Sequence, residues 1–520
     1  MDDLATNDVD VDNAVIEDAN VTLTCFLETD RFVQAKSEEL NKWKLFDAYE
    51  EVEDTGKSYI NGRWVCTEKF DDKGLRLKAI FVAKGFQEKS VIQSDSRTGN
   101  KECMRILFVV ISQNSWTLNS IDIRSAFLQG SPITRDIYLK PPPESNSKNV
   151  LWKLKKCIYG LNDAARMWYF AVLDELTTLF CVRLTSDYAV FMWYLNDELC
   201  GVMELHVDDI LWSGTPSFQE KVIKPFCDKF MIGSAASTSV SHMVHLGIRI
   251  SQSEDGIFID QDEYVQEINS IPISRASKLK KQHQCDGSEA TLYRKLVGKL
   301  NWVSTQTRPD IAFSVCLLSS SMSKPKIDDL MLANKTLNYL KNNPLPVRYP
   351  KLGKDISLYG YSDASLANLP SGRSAIGYVV FAVSNNGQVS APIAWKSNST
   401  KRVVRSTLAA ETSALTDCLD CAFCLSSVFG EILFRVRSLP TVPIFAFTDN
   451  QSLVDNAHST TMPKEHRLRV DMAIVKEMID KNELQKLIHV ESEDQVADCL
   501  TKKGANPTKI SKVFEDGRLL

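Results

Sequence analysis

No stretch of this sequence approaches the ~18 consecutive apolar residues that a membrane-spanning helix needs, so no helical membrane span is expected. The N-terminus, MDDLATNDVDVD, has none of the basic-then-apolar layout of a secretory leader. The 13 cysteines are odd in number and scattered without paired spacing. That argues against a disulfide framework and for reduced, mostly buried thiols in an intracellular protein. Net positive charge is missing too, at −5 over 520 residues, which looks wrong for a nucleic-acid partner until the chain is divided. Residues 1–54 hold 16 acids and 4 basic residues, and the remainder carries a balance of +7. Composition therefore permits a polynucleotide partner without requiring one.

What is present is globular material. Hydrophobic residues make up 44% of the chain, and its length calls for several domains. Residues 1–37 are acidic and poor in aromatics, the composition of a disordered tail. Leu40, Trp43, Phe46 and Tyr49 recur at threes and predict a short amphipathic helix over 38–52. Two strand-like runs then flank Asp71-Asp72-Lys73-Gly74, a hairpin turn, with Arg76, Lys78 and Lys84 on or beyond the second run. Such a basic flap suits phosphates and equally suits a solvated strand face. In LWKLKKCIYGLNDAARMWYFAVLDEL, a lysine-bearing strand meets Gly160 and then a helix with Trp168, Val172 and Leu176 on one stripe. Arg166, near that helix start, fits either a phosphate contact or a solvated position.

Further on, two strands flank Glu254-Asp255-Gly256, and residues 288–342 predict three helices broken at Arg308-Pro309 and Lys324-Pro325. Residues 343–354, NPLPVRYPKLGK in sequence, lack periodicity and predict an interdomain linker. Beyond them come three strands, a long helix from about Ser406 to Phe429, a strand, a helix, a fifth strand and a short terminal helix in QVADCLTKKG. A mixed sheet flanked by helices follows from that order.

Two sets of acids stand out against this background. In ELHVDDILWSG, Asp208 and Asp209 sit between apolar runs, at the tip of an expected hairpin, where adjacent carboxylates need a cation or water. Asp122 ends the strand of SIDIRSAFLQG and gains meaning only if that hairpin brings its acids to the same place. In the C-terminal part, Asp363 and Asp449 lie at strand ends, Glu411 on the long helix and Asp498 on the expected last helix. Four carboxylates from four elements suit two divalent cations ~3.5–4 Å apart, the arrangement for in-line attack on a phosphodiester. Taken singly, each acid also fits a cap, a turn or a solvated surface.

These motifs, in this order, resemble the reverse transcriptase and ribonuclease H portion of copia-type retrotransposon Pol polyproteins. The resemblance is carried by KAIFVAKGFQ, DIRSAFLQG, LWKLKKCIYGLNDAARMWY, ELHVDDILWSG, HLGIRI, YRKLVGKLNWVSTQTRPDIAFSV, GYSDASLANLPSGRSAIGY, RSTLAAETSAL, FTDNQSLVD and QVADCLTKKGA, from about residue 40 to 505. It implies a multidomain α+β and α/β chain. A right-hand polymerase with fingers and palm over 38–270 and thumb or connection over 271–342 would lead, through the linker, to a ribonuclease H-like domain over 355–505 and a tail over 506–520. It further implies an RNA- and DNA-directed DNA polymerase joined to a hybrid-specific ribonuclease.

By the same resemblance Asp122, Asp208 and Asp209 are the polymerase acids. Asp122 and Asp208 would hold two Mg²⁺, with Mn²⁺ as an alternative ion, and the Ile123 carbonyl would be an extra ligand. Phe127 would exclude a 2′-hydroxyl, Lys78 and Lys84 would bind the incoming nucleotide, and Leu246 and Gly247 would steady the primer. Asp363, Glu411, Asp449 and Asp498 would bind the two metals of the ribonuclease. The implied partners are an RNA template, a DNA primer, the RNA–DNA hybrid and deoxynucleoside triphosphates, with no membrane. Homodimerisation and association with other retrotransposon proteins stay open. The implied location is intracellular and cytoplasmic, within a virus-like particle for an intact element.

Some residues depart from the pattern. His206 stands where many reverse transcriptases have Tyr, although a branch of copia-type elements also reads HVDD. Ile80 replaces a usual Arg, and Arg97 a usual Pro. A degenerate or domesticated fragment that binds nucleic acid or a partner without catalysis is the alternative, and of these departures Ile80 favours it. Cys418, Cys421 and Cys424 superficially match an iron–sulfur run, but their helical spacing suits packed thiols. His489 is a candidate helper in product release and equally a strand histidine without chemistry.

Overall fold

The computed structural model describes residues 31–71, 74–89, 92–147, 149–436 and 441–519. Most of the acidic stretch 1–37 and two residues of the first hairpin turn, Asp72 and Lys73, lie outside them. The chain folds as two units that are not contiguous in sequence. The first takes the described residues up to Arg97, then Ile123–Phe180 and Phe226–Met231; the second takes Thr98–Asp122, Cys181–Pro225 and everything from Ile232 onward.

In the first unit, Val33–Leu45 is helical, so the helix starts within the expected tail and stops before Tyr49. Residues Tyr49–Glu53 instead form a strand paired with Val150–Leu154, because that pairing stacks Tyr49 on Trp152 at 4.0 Å between rings. Trp43, Phe81, Leu139 and Trp152 make the core of this unit. The predicted ribbon is present, with Gly62–Asp71 antiparallel to Gly74–Ala83 and Trp64 opposite Phe81. Helix Ala164–Thr178 buries Trp168, Val172 and Leu176, the stripe read from its spacing.

Among the described residues the second unit holds three sheets. Six strands run in the order Ile232–Ser237, Asn119–Ile123, Asp209–Gly214, Glu198–His206, Val190–Leu195, Val182–Arg183. Helix Lys101–Asn114 is buried along Cys103–Ser112 and belongs to the same apolar core. Its Arg105 is fully buried, lies 3.7 Å from the centre of the Trp395 ring, and donates to the carbonyls of Ile393, Thr305 and Gln306.

A four-stranded sheet follows, of Met243–His245, Ile248–Ser253, Gly256–Asp260 and Val347–Tyr349. Its last strand corrects the linker reading of 343–354. Val347 pairs with Ile259 and Tyr349 with Ile257, and all four side chains are buried, which outweighs the lack of local periodicity. The three predicted helices are Gly287–Gln306, Ala312–Ser320 and Ile327–Asn342, joined around Tyr293, Leu300, Leu330 and Leu337.

The third sheet has the five predicted strands in the order Ser390–Ser399, Ala375–Ser384, Ile356–Ser365, Ile444–Thr448, Lys486–His489. The first three are antiparallel and the last two join in parallel. Helix Thr407–Phe434, capped by the Ser406 hydroxyl, packs across it. Two terminal readings are corrected. QVADCLTKKG forms no α-helix, only the short 3₁₀ turn Asp498–Leu500 in its middle. Residues 506–520 are no tail, because Thr508–Asp516 is a helix whose Ile510, Val513 and Phe514 are buried, with Phe514 against Trp395. No helix among the described residues is long and apolar enough to cross a membrane.

Candidate active sites

The aspartate hairpin forms as its apolar flanks predict. Strands Glu198–His206 and Asp209–Gly214 pair through a two-residue turn of Val207 and Asp208. Val207 sits at φ +57°, a backbone region that costs a β-branched residue about 1–3 kcal/mol and that clusters at functional turns. On its other edge the Asp209–Gly214 strand pairs with Asn119–Ile123, and the register sets Asp209 directly opposite Asp122. Residues opposed in an antiparallel pair share a face, so Asp122 and Asp209 stand side by side next to Asp208 in the turn. All three are half-buried. Burial, then the charges of Asp208 and Asp122, push the Asp209 carboxyl up to about 6.

Gly233, on the edge strand Ile232–Ser237, is a member of this site that the sequence reading missed. A Cβ there would lie 2.3 Å from Asp122 Oδ2, so the bare backbone leaves room for that carboxylate. Leu246 and Gly247 form the tight turn between Met243–His245 and Ile248–Ser253, both at positive φ. His245, just before them, is buried, and desolvation together with the nearby His206 lowers its imidazole to about 3.

The residues assigned to the nucleotide lie in the first unit. Ile123 is buried, and the Phe127 ring packs 4.7 Å from that of Tyr159. Lys78 is exposed opposite Thr67 on the ribbon, and the Lys84 backbone N–H donates to the Asn61 carbonyl. Ile80 shares the Lys78 face, two residues on in the strand. Arg166 is ion-paired to Asp95 at 2.8 Å.

The C-terminal acids converge. Asp363 stands on the central strand, Glu411 in the first turns of the long helix and Asp449 just past its strand. One oxygen from each lies within 4.8 Å of the others, the one group of three or more such ligands among the described residues. The hairpin acids are therefore juxtaposed by register but not gathered as tightly. Asp363 and Glu411 are buried at 1% and 4% exposure.

Burial, then the charges of Asp363 and Asp449, push the Glu411 carboxyl up to about 9. Burial raises Asp363 to about 6 against the opposing pull of Lys502 and Thr501. Glu411 Oε2 has no hydrogen-bond partner, and Ser492 Oγ donates to Asp449 Oδ2 at 2.9 Å. Crowded carboxylates with an orphaned buried oxygen and only oxygen donors fit a hard divalent cation such as Mg²⁺ or Mn²⁺.

Asp498 does not complete that trio; its carboxylate accepts from Lys502 Nζ, which stands 3.4 Å from Asp363 Oδ1. The Thr501 hydroxyl donates to Asp363 Oδ2. Neither Thr501 nor Lys502 was singled out from the sequence, although both follow Asp498 within a turn. A ring nitrogen of His489 lies 3.2 Å from the Asp449 carbonyl oxygen. Cys418 is buried, Cys421 half-buried and Cys424 exposed along one helix, and they form no metal group among the described residues.

Residues 42–274 match a family model described as reverse transcriptase (RNA-dependent DNA polymerase). The chain is similar to the retrovirus-related Pol polyprotein from transposon RE1 of Arabidopsis thaliana, 28% identical over 468 residues, covering 85% of this chain and 30% of the relative. It is also similar to the Pol polyprotein from transposon RE2 of the same plant, at 27% over 502 residues with 92% and 33% covered. That from transposon TNT 1-94 of Nicotiana tabacum is 26% identical over 509 residues, with 91% and 37% covered. The chain thus spans about a third of the length of these relatives.

Among solved structures, it resembles the foamy viral protease-reverse transcriptase dRH in complex with ds DNA, at TM-score 0.58 and 13% identity, covering 91% of this chain and 73% of that one. The foamy viral protease-reverse transcriptase in complex with an RNA/DNA hybrid gives TM-score 0.53 and 12% identity, with 90% and 54% covered. At those identities the likeness is one of fold: a polymerase fold with a ribonuclease H-like region.

Proposed function

The chain belongs to the copia-type retrotransposon Pol polyproteins, with a reverse transcriptase domain over residues 42–274, and from that premise we propose that it copies RNA and DNA templates into DNA and degrades the RNA of the resulting hybrid. The observation that carries the polymerase reading is the register that sets Asp209 opposite Asp122, with Asp208 in the adjoining turn. In this reading 38–270 are fingers and palm, 271–342 thumb or connection, and 355–505 the ribonuclease.

Asp122 and Asp208 would hold Mg²⁺ in the palm, while Asp363, Glu411, Asp449 and Asp498 would hold it in the ribonuclease. Divalent cations bound at these acids supply activation of the attacking hydroxyl or water and charge compensation for the leaving oxygen. The rest falls to the chain's own residues. The turn at Val207 aims Asp208, and pairing with Asn119–Ile123 fixes Asp122 on the same face. Lys78 and Lys84 would hold the triphosphate as point charges, Ile123 would offer its carbonyl and Phe127 would stand under the sugar. Leu246 and Gly247, in a turn stiffened by two strands, would steady the primer end. In the ribonuclease, Glu411 Oε2 is held without a protein partner, ready for a cation.

The partners proposed are an RNA template, a DNA primer, their hybrid and deoxynucleoside triphosphates. Primer extension on an RNA template with Mg²⁺ tests the first activity. Wild type should extend and Asp208→Asn should not, and equal extension by both refutes the polymerase assignment. Hybrid cleavage tests the second, and an Asp449→Asn protein that cuts as fast as wild type refutes those acids. A second reading, a remnant that binds nucleic acid without turnover, is favoured by Ile80 on the Lys78 face of the ribbon. It predicts salt-sensitive binding with neither activity.

A further inference from the structure

Three of the four ribonuclease carboxylates converge, and the fourth is held apart by a lysine. Asp363, Glu411 and Asp449 each bring an oxygen within 4.8 Å of the others. Asp498 accepts from the Lys502 ammonium one turn further along the chain, and the same ammonium stands 3.4 Å from Asp363 Oδ1. Lys502 therefore bridges the Asp363–Asp498 edge and leaves the Asp363–Glu411–Asp449 triangle to the orphaned oxygen of Glu411. The arrangement is braced from two sides. Thr501, beside Lys502, donates to the remaining oxygen of Asp363. Gly377, opposite Asp363 in the sheet, has no Cβ where one would come within 2.6 Å of Leu500, so the Asp498–Lys502 segment can sit against the strand.

Resting on the ribonuclease reading, we infer that Lys502 is a built-in cation occupying the second ion position, so that the centre takes one divalent ion at Asp363, Glu411 and Asp449 and a second only when Lys502 withdraws from Asp363 and Asp498. An ammonium and a divalent ion cannot share the same two carboxylates, because like charges a few ångströms apart repel strongly in a partly buried site. Withdrawal is sterically free: the Lys502 side chain is 41% exposed, and a lysine stem can carry its charge out to water. Lys502 is thus a positioning residue that sets how many ions the centre holds at rest.

Mn²⁺ titration followed by the electron paramagnetic resonance of the free ion tests this on the full chain, in an Asp122→Asn/Asp208→Asn background that silences the palm. With Lys502 present, one ion should bind tightly at this centre and a second at least about tenfold more weakly. Lys502→Met should tighten the second ion by on the order of tenfold, and Lys502→Arg, which keeps the cation, should match the parent. The inference is overturned if the parent binds two ions with similar affinity, or if Lys502→Met leaves the second constant within about twofold. An added Asp449→Asn substitution separates the two levels. If it leaves Mn²⁺ binding untouched, the ribonuclease metal site itself is wrong, and the inference falls with it.

Discussion

His245 should make the strand before the Leu246–Gly247 turn acid-sensitive. Its imidazole is buried and lowered from 6.5 to about 3, first by desolvation and then by His206. In the unfolded chain the same group protonates near 6.5. A depressed folded-state value means that the unfolded state binds the proton first. The stability contributed by neutral His245 is therefore intact above about pH 6.5 and is lost as pH falls toward 3.

Each pH unit inside that window is worth ~1.36 kcal/mol, so about 2 kcal/mol should be gone at pH 5. His245→Phe keeps an aromatic of similar size in the buried site and removes the titration. Native-state hydrogen exchange of the Ile250 amide, in the neighbouring strand, compares the two proteins at equal pH and cancels the intrinsic exchange chemistry. From pH 7.5 to 5 the wild type should lose about 2 kcal/mol of protection relative to His245→Phe. Labelled-histidine NMR should find His245 neutral across the same range. Parallel protection curves, or a His245 resonance titrating near 6.5, would refute the reasoning.

Gly233→Ala should lower the rate of primer extension about 100-fold while hybrid cleavage stays unchanged, since a displacement near 1 Å of a reacting group costs on that order. Steady-state kinetics of both activities decide it, and a loss below about threefold would show that Asp122 does not depend on that gap. Arg105→Lys should cost about 3 kcal/mol, because a point charge cannot serve three carbonyls and a ring face as a planar guanidinium does. Thermal unfolding should register it as a clear drop in Tm, and an unchanged Tm would refute it. Val207→Gly should relieve the positive-φ turn and stabilise the protein by about 1 kcal/mol while slowing extension, as the freed turn no longer aims Asp208. Lower stability in chemical unfolding would contradict that.

Asp122, Asp208, Asp363 and Asp449 could be placed near strand ends or turns because the apolar runs beside them are local signals, and the ordered motifs supplied the resemblance that groups them. Register did the joining for Asp122 and Asp209, although only Asn119–Ile123 alternates and Ile210–Ser213 is buried throughout. Gly233 was invisible for the opposite reason, since its contribution is an absent side chain next to a residue 111 positions earlier in the sequence. Lys502 follows Asp498 by four residues with no pattern to single it out, and only the folded sheet brings Asp363 to it. The strand Val347–Tyr349 was missed because its stabilisation comes from residues distant in sequence, through pairing with Gly256–Asp260 and packing of Tyr349 on Phe108. A segment of three paired residues between prolines carries no period of its own.

That short strand has a practical consequence. The Pro-rich stretch is where one would cut the gene to express the polymerase portion by itself. Cutting there strips Val347–Tyr349 from its sheet and leaves Gly256–Asp260 as a bare edge, with Ile257 and Ile259 uncovered. Unprotected apolar edges recruit other chains, so such a fragment should aggregate through that strand, whereas one running past Tyr349 carries its own cover.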